Sequence, residues 1–176
     1  MKKILKVSIP ICLWLLFLTG CTTNNTPTEY KTEAGGFIVN FLGVPQEEKK
    51  AVDTAMGSID MNIYSVSKDD IAYVISTNDY PEQFVKSKNT KDILNDSRDG
   101  ILSNTKGKLL YESDIQLEQF PGKELKYEVA EGAGITRQRI FLVNQRLYQI
   151  SVSTGSEEKY SKEINNFFDS FKLINN

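Results

Sequence analysis

The chain has 176 residues, with 21 Lys+Arg against 23 Asp+Glu, no histidine and two cysteines, for a formal net charge of −2. The lack of histidine removes the usual general base, the commonest metal ligand and the Ser-His-Asp arrangement together. Cys12 and Cys21 both lie near the start, so the remainder has no thiol for a disulfide, a zinc–thiolate site or a nucleophile.

Lys2 and Lys3 give a positive start, and the apolar run Ile9 to Leu18, interrupted by Pro10, is too short to span a bilayer. Leu18-Thr19-Gly20-Cys21 then matches a bacterial lipobox, in which small residues admit the peptidase and the cysteine sulfur takes diacylglycerol. The alternative is an uncleaved apolar anchor or an ordinary signal peptide. Residues 1–20 are thus expected to be a lipoprotein signal peptide. Cys21 is the expected lipid-attachment residue, holding the chain to the cell membrane on its extracytoplasmic side. Each acyl chain contributes about 0.8 kcal/mol per buried CH₂ to such an anchor. Loss of Lys2, Lys3 and Lys6 takes Lys+Arg from 21 to 18 against an unchanged 23 Asp+Glu, a formal −5. That balance, with no basic run, excludes a nucleic-acid partner, which needs clustered cations to replace phosphate counterions.

Residues 21–34, rich in Thr, Asn, Pro and charge, bury too little apolar surface to offset chain entropy and read as a flexible tether. Residues 35–174 have the length of one domain. Phe37, Val39 and Phe41 alternate as a strand that ends at Gly43-Val44-Pro45, and Lys50 to Thr54 reads as a weak second strand. Ile59, Met61, Ile63 and Ser65 alternate with Asp60, Asn62 and Tyr64. Lys68-Asp69-Asp70 then turns the chain into Ile71 to Thr77, completing a meander.

The period then becomes helical. Asn89 or Thr90 can cap, Asp92 lies in the first turn, and Ile93, Leu94, Ser97 and Ile101 share one face despite Gly100. Leu109 to Leu117 is a strand. Phe120-Pro121-Gly122 reads as a turn into Leu125, Tyr127 and Val129, whose alternates Glu124, Lys126 and Glu128 make a wet face. A glycine loop at 131–134 leads to strands Ile135 to Val143 and Leu147 to Val152, joined at Asn144-Gln145. Residues 157–171 place Tyr160, Ile164, Phe167, Phe168 and Phe171 at helical spacing. Strand blocks separated by single helices predict α+β: an antiparallel sheet of about six to eight strands flanked by two main helices.

Gly36-Phe37-Ile38-Val39-Asn40-Phe41 with Pro45, the segment Phe120 to Glu124, the hairpin Phe141 to Gln149 and the ending Phe168-Asp169-Ser170-Phe171-Lys172 together resemble a family of small exported bacterial lipoproteins of unknown function. Their layout is similar to the PsbP-type fold. The resemblance spans Gly35 to Leu173 and implies an α/β sandwich, but its motifs are turns and core residues, so it brings no catalytic set.

Arg137 and Arg139, two apart on one strand, share a face that suits an anionic ligand or a partner's carboxylates; the alternative is cross-strand pairing with Glu124 or Glu128. Tyr64, Tyr73, Tyr111, Tyr127 and Tyr148 recur on different strands and would line a pocket or docking face if they converged. Packing in the core or at an edge is their ordinary role. Asp69-Asp70 and the carboxylates between Asp96 and Asp99 lack calcium-loop spacing and read as turn and helix-surface residues. Ser151 and Ser153 have no base, and Gly132-Ala133-Gly134 lacks the lysine of a phosphate loop. No enzyme, metal or cofactor is expected. The first functional reading is a noncatalytic docking module for an envelope protein. The second is a carrier or sensor of a small apolar or anionic ligand, with Arg137, Arg139, Tyr127 and Tyr148 as its binding residues. A closed apolar cavity with convergent polar groups would favour the carrier, and an exposed aromatic patch the docking module.

Overall fold

A computed structural model describes residues 26–54, 57–129, 132 and 134–174. The expected signal peptide and Cys21 lie outside them. Alternating apolar residues fold the chain into ten strands and three helices in the order β1 (Thr28–Thr32), β2 (Phe37–Phe41), β3 (Gln46–Thr54), β4 (Gly57–Lys68), β5 (Ile71–Asp79), α1 (Glu82–Ser87), α2 (Thr90–Thr105), β6 (Lys108–Leu117), β7 (Phe120–Glu128), β8 (Ile135–Val143), β9 (Arg146–Thr154), α3 (Ser161–Ser170) and β10 (Lys172–Leu173). One antiparallel sheet of seven strands runs β3-β4-β5-β9-β8-β7-β6, and a second of three strands runs β1-β2-β10. The expected α+β class and strand number hold for the main sheet.

Each face of the main sheet carries its own apolar cluster, because the period of two sends alternate residues to opposite sides. On one side Tyr64, Tyr73, Ile75, Phe141, Tyr148, Ile150 and Val152 meet Phe37, Val39 and Phe41 of β2 and Ile164, Phe167 and Phe168 of α3. Ring contacts knit this layer: Phe37 meets Tyr64 edge-on at 5.1 Å and stacks on Phe171 at 5.5 Å. Burying each such side chain contributes roughly 1.5–3 kcal/mol. On the other side α2 packs Ile93 and Leu94 against Ile140, Leu142 and Leu147.

The α2 boundaries follow its caps. Asn89 Oδ1 accepts from the Asp92 N–H at 3.1 Å. Lys106, in the left-handed region, ends the helix while the Gly107 N–H reaches back to the Leu102 carbonyl at 2.8 Å. Gly100 lies within the helix without breaking it.

Four expectations are corrected. The tether reading of 21–34 fails at Thr28–Thr32, which pair with β2 as β1; Tyr30 packs on Phe41 and Tyr64, and Thr32 is buried. Two inward side chains suffice when an existing strand offers its edge. Phe37–Phe41 is a strand as read, but in the small sheet. Phe120-Pro121-Gly122 is no turn: the turn is Glu118-Gln119, with Glu118 at φ 54°, and these residues open β7. Gly122 is needed there because a Cβ would lie 2.3 Å from Phe141 Cδ1 and 2.4 Å from the Ile140 carbonyl oxygen. Finally, α1 was not foreseen. Its Phe84 and Val85 join Tyr80 beside the α2 cluster, so three helices flank the sheet.

Candidate functional site

Arg137 and Arg139 share a face as expected, and the structure closes them on Glu124 of the neighbouring strand. Arg139 Nε donates to Glu124 Oε2 at 2.7 Å and Arg137 Nη2 to Oε1 at 3.0 Å. Arg137 also donates to Asn165 at 2.9 Å, and Arg139 lies 3.5 Å from Asp169. Both guanidinium groups cover the Phe168 ring, at 5.4 and 4.8 Å from its centroid. Burial alone would raise the Glu124 pKa, but the hydrogen bonds from Arg139 and Arg137 outweigh it and hold the carboxyl below its ordinary value. The cluster is the cross-strand pairing anticipated as the alternative. It fastens β8 to β7 and to α3.

The tyrosines do not gather around one pocket or docking face. Tyr64, Tyr73 and Tyr148 are buried in the α3-side core. Tyr127 is buried too, and its hydroxyl donates to Gln138 Oε1 at 2.9 Å. Tyr148 reaches the Gly36 carbonyl at 3.4 Å. Only Tyr111 of the five is exposed. It stands on the edge strand β6 beside exposed Leu109 and Leu110, where a register shift makes Leu110 an extra residue.

The remaining candidates have structural roles. Asp70 accepts from the Tyr160 hydroxyl, which with Lys159 draws its pKa down, and Asp69 occupies the left-handed turn position. Asp96 pairs with Lys88, and Asp99 with Arg98 at 2.8 Å. Ser151 donates to the Val74 carbonyl, and Ser153 shares a hydrogen bond with Thr136. Gly132 and Gly134 have positive φ in the β7–β8 loop, and Ala133 lies outside the described residues. Among the described residues no three His, Cys, Asp or Glu side chains are placed to hold a metal, and no helix is long and apolar enough to cross a membrane.

Two features escaped the sequence reading. The first is a clamp at the start of β9, where Arg146 binds Asp79 through two 2.7 Å hydrogen bonds and the Ala34 carbonyl at 3.0 Å. These bonds lower the Asp79 pKa and raise that of Arg146. The second is a cleft of about 490 Å³ between α3 and β2. Tyr73 lines it; its hydroxyl is one of two buried side-chain oxygens that find no partner among the described residues. Burial, with the Glu163 charge adding, pushes the Tyr73 pKa up to about 12. No sequence signal marks a cleft built by elements over a hundred residues apart.

Comparison with known proteins settles the architecture. The solution structure of the cyanobacterial PsbP (CyanoP) from Synechocystis sp. PCC 6803 superposes with a TM-score of 0.59 at 11% identity, covering 90% of this chain and 98% of that one. The fold is PsbP-like. A Pseudomonas aeruginosa protein of unknown function, described as a putative regulator, gives a TM-score of 0.47 at 14% identity over 80% of this chain and 92% of its own. No protein-family profile matches the chain, and no curated protein matches it.

Proposed function

We propose that this PsbP-like domain is a noncatalytic docking module, tethered to the outer face of the cell membrane by lipid on Cys21, that binds an extended segment of an envelope protein along β6. The observation that carries the reading is the open apolar edge formed by Leu109, Leu110 and Tyr111. An edge strand offers a row of backbone donors and acceptors for strand addition, and apolar side chains beside it supply contact area. Lys106 and Lys108, both exposed and in no ion pair with the described residues, lie just before that edge. They select a partner strand that joins apolar residues to a carboxylate.

A photocrosslinking residue at Leu110, introduced in cells, tests this. Crosslinking to one envelope protein, lost roughly tenfold in Leu109→Asp, is the expected outcome. Crosslinks only between two copies of this chain, or capture that survives Leu109→Asp, would overturn it. The anchor is tested separately: radioactive fatty acid should label the wild type and not Cys21→Ser.

A further inference from the structure

The cleft between α3 and β2 is not used by the docking edge. Leu42, Tyr73 and Phe167 give it apolar lining, and Lys162, Glu163 and Asn166 of α3 supply polar groups. The spacing explains the array: Lys162 and Asn166 form one i, i+4 column of the helix, and Glu163 and Phe167 the next. Lys162, Glu163 and Asn166 make no side-chain hydrogen bond or ion pair with any described residue. Beside apolar surface the cleft therefore presents an exposed cation, carboxylate and amide, while its second carboxylate, Asp169, lies 3.5 Å from Arg139. Tyr73, 1% exposed, lines the same cleft, and its buried hydroxyl has no partner among the described residues. Buried hydroxyls without partners are uncommon in folded proteins.

We propose that this cleft binds the zwitterionic phosphoammonium headgroup of a membrane phospholipid. The ammonium lies between Glu163 and the Tyr73 oxygen, which then accepts the hydrogen bond it lacks. The phosphate takes Lys162 and Asn166, and the glycerol with its first methylenes covers Leu42 and Phe167. The volume suits such a group, since small-molecule sites span about 300–1,000 Å³. Free amino acids share this chemistry of ammonium, anion and apolar body. Position favours the lipid: Pro27 is part of the cleft wall and lies six positions after Cys21, at most about 20 Å of extended chain. That choice of source rests on the anchoring reading above; the binding itself does not.

The full-length chain in nonionic detergent, titrated by calorimetry with glycerophosphoethanolamine, glycerol phosphate, ethanolamine and leucine, decides the matter. Glycerophosphoethanolamine is expected to bind roughly tenfold more tightly than the other three. Lys162→Gln and Glu163→Gln should each weaken it roughly fivefold, and Tyr73→Phe roughly threefold. Cys21→Ser should bind as the wild type does, so failure of the anchor leaves this result intact. Tighter binding of leucine would overturn the lipid source. Binding of none of the probes, or equal binding by wild type and all three cleft variants, would overturn the site.

Discussion

The seven-stranded sheet has two edges, β3 and β6, and they differ in both outward chemistry and fastening. On β3, Glu47, Glu48, Lys49 and Lys50 are all exposed, and Lys49 meets Asp60 at 2.8 Å across the strand pair. On β6, Leu109, Leu110 and Tyr111 are 38%, 46% and 52% exposed. Charge on an edge discourages pairing with another chain, whereas an apolar edge invites it. Fastening runs the other way. β6 is tied inward by Glu112, which accepts from Lys123 Nζ at 2.6 Å and from Arg98 Nη1 at 3.0 Å, and the Lys123 side chain is only 6% exposed. The apolar edge is thus the firmly held one, as a docking strand must be if partner binding is not to meet a further ordering cost.

The largest effect expected from breaking this contrast is at the tie. Glu112→Ala leaves Arg98 and the nearly buried Lys123 without their shared carboxylate, and should cost about 2 kcal/mol, read as a lower urea midpoint. The same tie gives β6 a pH dependence. Burial alone would raise the Glu112 pKa, but the Lys123 and Arg98 hydrogen bonds hold it below its ordinary value. A carboxyl depressed in the folded state stabilises above its unfolded pKa of about 4.3, and that contribution is lost as pH falls through the folded value. Protection of the β6 amides, measured against the unfolded chain's exchange rate at the same pH, should therefore fall as Glu112 is protonated in the wild type. In Glu112→Ala that protection should be low already at neutral pH.

An intermediate effect comes from making β3 resemble β6. Glu48 and Lys50 lie opposite Ile63 and Met61, on the same face as Val52. Glu48→Val with Lys50→Val would therefore create a continuous apolar edge. Concentration-dependent association on size exclusion is expected, while the urea midpoint moves by less than about 0.5 kcal/mol in equivalent stability. A variant that stays monomeric at all concentrations would show that charge on β3 has no protective role.

How much of this was legible follows from what sequence encodes locally. The strands, the Asn89 cap and the α3 aromatics were readable because period and capping chemistry are local. The Arg137–Glu124–Arg139 pairing was readable as one of two outcomes, since strand neighbours in a hairpin are known but their register is not. β1 was missed because composition averaged over residues 21–34 hides Tyr30 and Thr32, which alternate inward. The Phe120-Pro121-Gly122 misreading treated Pro-Gly as turn chemistry. In the structure the glycine serves close packing against Phe141 and Ile140, a long-range demand. The cleft and the Arg146 clamp depend on segments brought together only by the folded sheet order, which no local pattern contains.

The smallest effect tests whether the charges on β3 hold it in place or only repel other strands. Lys49 and Asp60 are 64% and 62% exposed, so water screens their attraction and ordering two long side chains offsets much of it. Asp60→Ala should accordingly shift stability by no more than about 0.5 kcal/mol, against about 2 kcal/mol for Glu112→Ala on β6. Comparable urea midpoints for the two variants would mean that the 2.8 Å pair on β3 is as strong as the buried one, and that both edges are equally fastened. A near-silent Asp60→Ala leaves the β3 charges one role, keeping other chains from that edge, and leaves the apolar β6 edge as the one proposed for docking.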